Sequence, residues 1–184
     1  MFLLLVYFVL NSLNQVETAP NRQFSTLRTE FKKVFTDFDD KIISNLTGWL
    51  SEDASLNLDM HVKQLISSSR TTVTVKYRVE DSMNYLTLLN YDIDTCKTLK
   101  EMMATGLVKV WFRNIRKYGN LSPSCPIKPS YYNLRNLRLE SQSIPVFLRP
   151  GDYRIRVFNY NGKANAKAKL RHLVTCVTVE MKFY

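Results

Sequence analysis

Strict period-two alternation constrains this chain more than any other feature. Leu56, Leu58, Met60 and Val62 alternate with Asn57, Asp59, His61 and Lys63. After the polar stretch Ser67-Ser68-Ser69-Arg70, the residues Val73, Val75, Tyr77 and Val79 alternate with Thr72, Thr74, Lys76 and Arg78. Successive side chains of a strand point to opposite faces, so each run calls for a strand with one face on a core and the other in water. The short polar connection between the runs predicts that they form an antiparallel pair.

The same pattern returns toward the C-terminus. Pro123, Pro126 and Pro129 hold the preceding stretch in an irregular extended path, after which Leu137 and Leu139 flank Arg138 in a short strand. Pro150-Gly151-Asp152 marks a turn, and Tyr153, Ile155 and Val157 then alternate with Arg154 and Arg156 up to Asn161-Gly162, a strong hairpin signal. Beyond it Ala164, Ala166, Ala168 and Leu170 alternate with Lys167, Lys169 and Arg171, and Val177, Val179, Met181 and Phe183 form a closing strand. Residues 97–118 depart from this pattern. Leu99, Met102, Met103, Leu107, Val110, Trp111, Ile115 and Tyr118 are spaced by threes and fours, as on one face of a helix, with Gly106 as an internal break and Gly119-Asn120 as its stop. Short strands, frequent turns and one helical insert around residues 97–118 predict a mainly β protein, an antiparallel β-sandwich. Over residues 24–50 the period is different again: Phe24, Phe31 and Phe38 recur every seven residues, which on spacing alone suggests an amphipathic helix.

Its 184 residues suit one domain, read as residues 20–184, behind a removable leader, residues 1–19. The apolar run Phe2 to Leu10 has the length of a signal-peptide core and falls short of the roughly 20 residues that cross a bilayer, with a buried N-terminal strand as the alternative. No later segment is apolar enough to span a membrane, so the expectation is a secreted, extracellular protein without a transmembrane segment after signal removal. Three cysteines with no Cys-x-x-Cys pair fit an oxidising compartment better than a metal site. Cys96 and Cys125 are the natural disulfide, a bridge that would constrain the unfolded chain by roughly 3 to 4 kcal/mol. Cys176 is left over, read as a buried thiol or, alternatively, an intermolecular bridge. Asn45-Leu46-Thr47 and Asn120-Leu121-Ser122 are glycosylation sequons; Pro123 weakens the second, so Asn45 is the better site.

Chemistry-bearing constellations are scarce. His61 and His172 are the two histidines, far apart in sequence, with His61 on the polar face of its strand. There is no nucleophile elbow, glycine-rich phosphate loop, paired-histidine zinc motif or calcium loop, and Asp37, Asp39 and Asp40 read as an exposed turn. No enzyme, metal or cofactor is therefore expected. The 26 Lys and Arg against 16 Asp and Glu give a formal net charge of +10, and such a surface favours an anionic headgroup or glycan as a partner. Nucleic acid is not expected as a partner, because the aromatics follow the apolar faces of their segments and no recognition motif is present.

The stretch from Asn84-Tyr85-Leu86-Thr87-Leu88-Leu89-Asn90-Tyr91-Asp92-Ile93-Asp94-Thr95-Cys96 through Ile115-Arg116-Lys117-Tyr118-Gly119-Asn120-Leu121 carries a resemblance. So do Ser124-Cys125-Pro126, Tyr132-Asn133-Leu134, Ile144-Pro145 and Pro150-Gly151-Asp152-Tyr153. The chain resembles an insect, largely fruit-fly, family of secreted proteins with a domain of unknown function related to ML (lipid-recognition) domains and to fly chemosensory proteins, over about Phe31 to Leu170. That resemblance implies an ML-like, immunoglobulin-like β-sandwich with an apolar pocket between its sheets, and it makes residues 31–50 extended, against the helical spacing. Cys96 and Cys125 match the family's second cysteine pair. The positions of an earlier pair fall near Thr36 and Gly48, and both cysteines are absent here.

The functional expectation is a binding protein for a small apolar or lipid-like ligand, in a chemosensory setting by resemblance. Candidate pocket walls are Leu58, Met60, Val62, Val73, Val75, Tyr77, Val79, Trp111, Phe147, Tyr153, Ile155 and Val157. Inward-facing strand residues look the same whether they touch a side chain or a lipid tail. The alternative is therefore an extracellular protein-interaction module with a solid core and no pocket.

Overall fold

The computed structural model describes residues 27–78, 84–104, 116–122, 124–139, 144, 148–162 and 172–184. The leader, residues 1–19, lies outside them, as do Phe24, Val79, Trp111, Phe147, the helical span 105–115 and the alternating run Ala164 to Leu170.

Among the described residues the named elements follow in the order β1 (Thr29–Phe38), β2 (Ile43–Leu50), β3 (Leu56–Val62), β4 (Arg70–Arg78), β5 (Tyr85–Asp94), α1 (Thr95–Ala104), β6 (Ser130–Leu137), β7 (Gly151–Asn161) and β8 (His172–Phe183). They build two antiparallel sheets and no closed barrel: a large one ordered β1-β8-β7-β4-β5 and a small one ordered β2-β3-β6. The expected mainly β character holds. Val73, Val157, Val177 and Val179 of the large sheet and Ile43, Leu56, Val62 and Leu134 of the small one are buried in a single hydrophobic cluster. The outward partners of these residues, such as Thr74, Arg156 and Thr178, are part-exposed or exposed, as alternation requires.

Several expectations are corrected. The runs at 56–62 and 73–79 are not an antiparallel pair: β3 pairs with β2 and β6, while β4 pairs with β5 and β7. Alternation tells which face is buried, not which strand is the neighbour, and the polar segment 63–69 carries the chain from one sheet to the other. On its way it is held by a bridge between Ile66 and Ile127, N to O at 2.9 Å in both directions. The helical spacing of the phenylalanines at 24–50 is overruled by β1 and β2. Phe31 is buried and Phe35 exposed, with a bulge between Phe31 and Lys33 shifting the strand's phase. The prolines end before Ser130, so β6 occupies Ser130–Leu137 and stops where the short strand at Leu137 and Leu139 was expected to begin. Asn161 pairs with His172 of β8, and the hairpin arm expected beyond Asn161-Gly162 falls on residues 163–171, outside the described residues. The helical insert begins at Thr95, two residues early, where the Asp94 carboxylate accepts a hydrogen bond from the Lys97 N–H at 2.8 Å and caps the first turn.

The far edge of the small sheet is extended by the segment Tyr118 to Asn120. Arg135 N donates to Tyr118 O at 2.6 Å, and the Asn120 side chain acts as a ladder group, its Nδ2 donating to Tyr131 O at 2.9 Å and its Oδ1 accepting from Asn133 N at 2.7 Å. Gly119 makes this approach sterically feasible, because a Cβ there would sit 1.8 Å from the Asn133 carbonyl oxygen. Gly119→Ala is expected to destabilise the protein by about 1 to 3 kcal/mol, since backbone and not a flexible side chain would have to move. Urea unfolding would show a lowered midpoint with an unchanged slope; an unshifted midpoint would refute this account of the contact.

Candidate functional site

The two sheets meet along β1 and β2, and the described part of the other side, at β4 and β5, presents partly exposed apolar residues. Where they meet, Gly48 of β2 packs so near β1 that a Cβ on it would lie 2.7 Å from Val34 Cγ2 and 3.3 Å from Thr36 Cγ2. The opposite flank is made by β4 and the edge strand β5, and the described strands of the small sheet number three against five. A bulge at Leu88 shifts the phase of β5, so that Leu86 stands opposite Tyr77 and Leu89 opposite Val75, both on the inward face although three residues apart. Tyr77, Leu89, Tyr91 and Ile155 are partly buried against the core there, and Leu86 and Leu88 are 56% and 47% exposed. A contiguous apolar surface of this kind is a candidate contact site for an apolar partner.

The predicted pocket walls divide into three groups. Leu58, Met60, Val62, Val73, Val75, Tyr153 and Val157 lie in the hydrophobic cluster, each no more than 7% exposed. Tyr77 and Ile155 are half-buried at the apolar flank. Val79, Trp111 and Phe147 lie outside the described residues. At one end Tyr153 packs its ring edge-on against Phe183 at 4.9 Å and tilted against Tyr77 at 5.1 Å, while its hydroxyl donates to Arg149 O at 3.0 Å.

A buried polar row crosses the inward face of the large sheet. Thr71, Asn159 and Thr175 are register partners on β4, β7 and β8, and all are fully buried. The Thr71 hydroxyl donates to Asn159 Oδ1 at 2.6 Å and meets the Thr95 hydroxyl at 2.8 Å, and Asn159 Nδ2 donates to Thr175 Oγ1 at 3.1 Å. The row thus ties three strands to the first turn of α1. Next to it on the other face, Asp92 accepts from Tyr160 Oη at 2.6 Å and pairs with Arg70 at 3.1 Å. Of these residues Arg70 lines a cleft of about 490 Å³ at the sheet ends, with Ile42, Leu65, Ile66, Asp94 and Asn161 among others. The described members of the predicted wall do not line it.

The remaining expected sites find definite places. Cys96 at the start of α1 is bonded to Cys125, Cα atoms 5.5 Å apart, and Cys176 is a buried free thiol. Asn45 is exposed on β2 with its Oδ1 accepting from the Thr47 hydroxyl of the same sequon at 2.9 Å, which leaves its Nδ2 outward, whereas the Asn120 amide is committed to β6. His61 and His172 are both exposed and sit on different sheets, and the His61 Nδ1 is 3.0 Å from the Ser44 hydroxyl. Among the described residues no group of His, Cys, Asp or Glu could hold a metal ion, and no helix is long and apolar enough to cross a membrane. The Asp53 carboxyl is held down at about 2 by the Ser55 hydroxyl and backbone N–H and by its ion pair with Arg138, and this pins the 51–55 corner against β6.

The inward β5 residues and the polar row were not among the sequence-derived site residues. The phase shift at Leu88 hides the common face of Leu86 and Leu89, and Thr71, Asn159 and Thr175 become neighbours only through register. What the coordinates define is a two-sheet antiparallel β protein stapled by one disulfide, with a partly exposed apolar flank at β4 and β5 among the described residues. Residues 71–155 match the model of a family described as a protein of unknown function, DUF1091. No curated protein matches the chain.

Proposed function

We propose that the chain is a secreted, non-catalytic binding protein with an immunoglobulin-like, ML-like sandwich, and that it takes up a small apolar or lipid-like ligand at its apolar flank. The observation that carries this reading is the half-buried apolar surface of Tyr77, Leu89, Tyr91 and Ile155, continued outward by Leu86 and Leu88. Covering it with a hydrocarbon chain removes apolar surface from water at about 25 cal/mol per Å², before ordering costs. The disulfide agrees with an oxidising compartment. The likeness to ML domains and to fly chemosensory proteins supports a carrier role.

The test is native mass spectrometry of the protein as purified and after delipidation with added oleate. The expected result is a stoichiometric lipid adduct that weakens by roughly fivefold or more when Leu86→Asp and Leu88→Asp are combined, since both residues are exposed and the change spares the core. Absence of any adduct would remove the carrier reading.

One observation favours a second reading. The walls expected to face a ligand, Val73, Val75 and Val157 among them, are buried in one cluster with Leu134, Val179 and Met181. A solid interior of that kind suits an extracellular interaction module, which would return no adduct in the same experiment.

A further inference from the structure

The outward face of the large sheet carries a different kind of cleft. Register places Thr74 of β4, Arg156 of β7, Thr178 of β8 and Phe35 of β1 in one row, and Lys76, Arg154, Glu180 and Lys33 in the next. Apart from Lys33, these side chains line a cleft of about 490 Å³. Strand geometry spaces such groups roughly 5 Å across the sheet and 7 Å along it.

The acid in this lining is already neutralised. Glu180 Oε1 accepts from Arg154 Nε at 2.9 Å and Nη2 at 2.6 Å, and the same guanidinium lies 4.2 Å from the centre of the Tyr85 ring, which holds it in place. Lys76 and Arg156 have no carboxylate partner among the described residues. Arg156 instead spreads over Phe158, 5.1 Å from the ring centre, with its Nε 3.2 Å from Cys176 Sγ. Phe35, 54% exposed, offers a bare ring at the end of the row, with Thr178 between it and Arg156 and with Thr74 on the far side of Arg156, its hydroxyl donating to Asn90 Oδ1 at 3.1 Å.

We infer that this cleft binds a sulfated glycan chain. Sulfate esters are permanent anions with acceptor oxygens only, matching Lys76 and Arg156. Sugar hydroxyls can pair with Thr74 and Thr178, and the C–H face of a pyranose can lie on Phe35. The cations are interleaved with hydroxyls inside a concave surface, which a flat bilayer cannot follow. A row with one bare ring lacks the succession of aromatic platforms that single-stranded nucleic acid uses. The site is separate from the apolar flank, which lies on the inward face of the same sheet, so each can fail without the other.

The test is titration of the full-length protein with a sulfated heparin-type oligosaccharide, its desulfated counterpart, a single-stranded DNA oligonucleotide and phosphatidylserine vesicles, at about 150 mM salt. The expected result is binding of the sulfated sugar alone, weakened about tenfold or more by Lys76→Glu with Arg156→Glu. Lys63→Glu with Lys128→Glu, exposed positions next to strands of the small sheet, changes the net charge equally and should alter affinity less than about twofold. Phe35→Ala, which keeps every charge, should weaken binding about threefold and serves if the double reversal fails to fold. Equal losses in the two charge pairs, no binding by the parent protein, or equal binding of DNA or vesicles at the same residues would each overturn the assignment.

Discussion

Asn159→Leu is expected to lower stability by roughly 2 to 4 kcal/mol, the range for stripping buried hydroxyls of a partner. The substitution keeps the volume and the apolar surroundings but takes an acceptor from Thr71 and a donor from Thr175, both fully buried. Thermal unfolding should fall by something on the order of 10 °C. A companion variant decides the mechanism: adding Thr71→Val, Thr95→Val and Thr175→Val turns the whole row apolar, and it should recover part of the loss, because removing both ends of a hydrogen bond costs less than orphaning one. If the quadruple variant is weaker than the single by the sum of the three added losses, the row is not acting as a connected network.

Replacing Thr36 and Gly48 together by cysteine is expected to create an inter-sheet disulfide. The resemblance places a lost cysteine pair near these positions, and the structure brings them together, with a Cβ on Gly48 only 3.3 Å from Thr36 Cγ2, where a sulfur would stand. Closing a loop of about a dozen residues should add roughly 3 kcal/mol on the chain-entropy model. Part of this is offset because Val34 Cγ2, 2.7 Å from the same Cβ, must move. Alkylation and mass spectrometry would show the bond, and unfolding with and without reductant would measure it. Thiols that remain open to alkylation in the folded, oxidised protein would sink the prediction.

Strand faces were legible in the sequence wherever alternation was unbroken, as in β3, β4, β7 and β8. The same signal could not say that β3 and β4 belong to different sheets, since face and neighbour are set by different forces. Where a bulge interrupts the phase, at Phe31 and Leu88, alternation disappears; the first case imitated a helix and the second concealed a strand. The inward set of β3, β4 and β7 was read correctly as apolar and inward, but a burial pattern does not separate core from ligand wall. The apolar flank depends on which strands stand at the edge, and the polar row on register. Both are properties of assembly that no local window contains.

The passage of the chain between layers at residues 63–69 bears on how the matched region can stand. Residues 71–155 hold β4, β5, α1, β6 and the first half of β7, yet β6 is bonded to β3, and β7 to β8, both beyond those limits. Cut out alone, that stretch would leave a lone strand of one layer and a torn edge of the other, with Val73, Val75 and Leu134 turned to water. The recurring unit is therefore not a separable one, and its flanking sequences must supply the missing strands for it to fold.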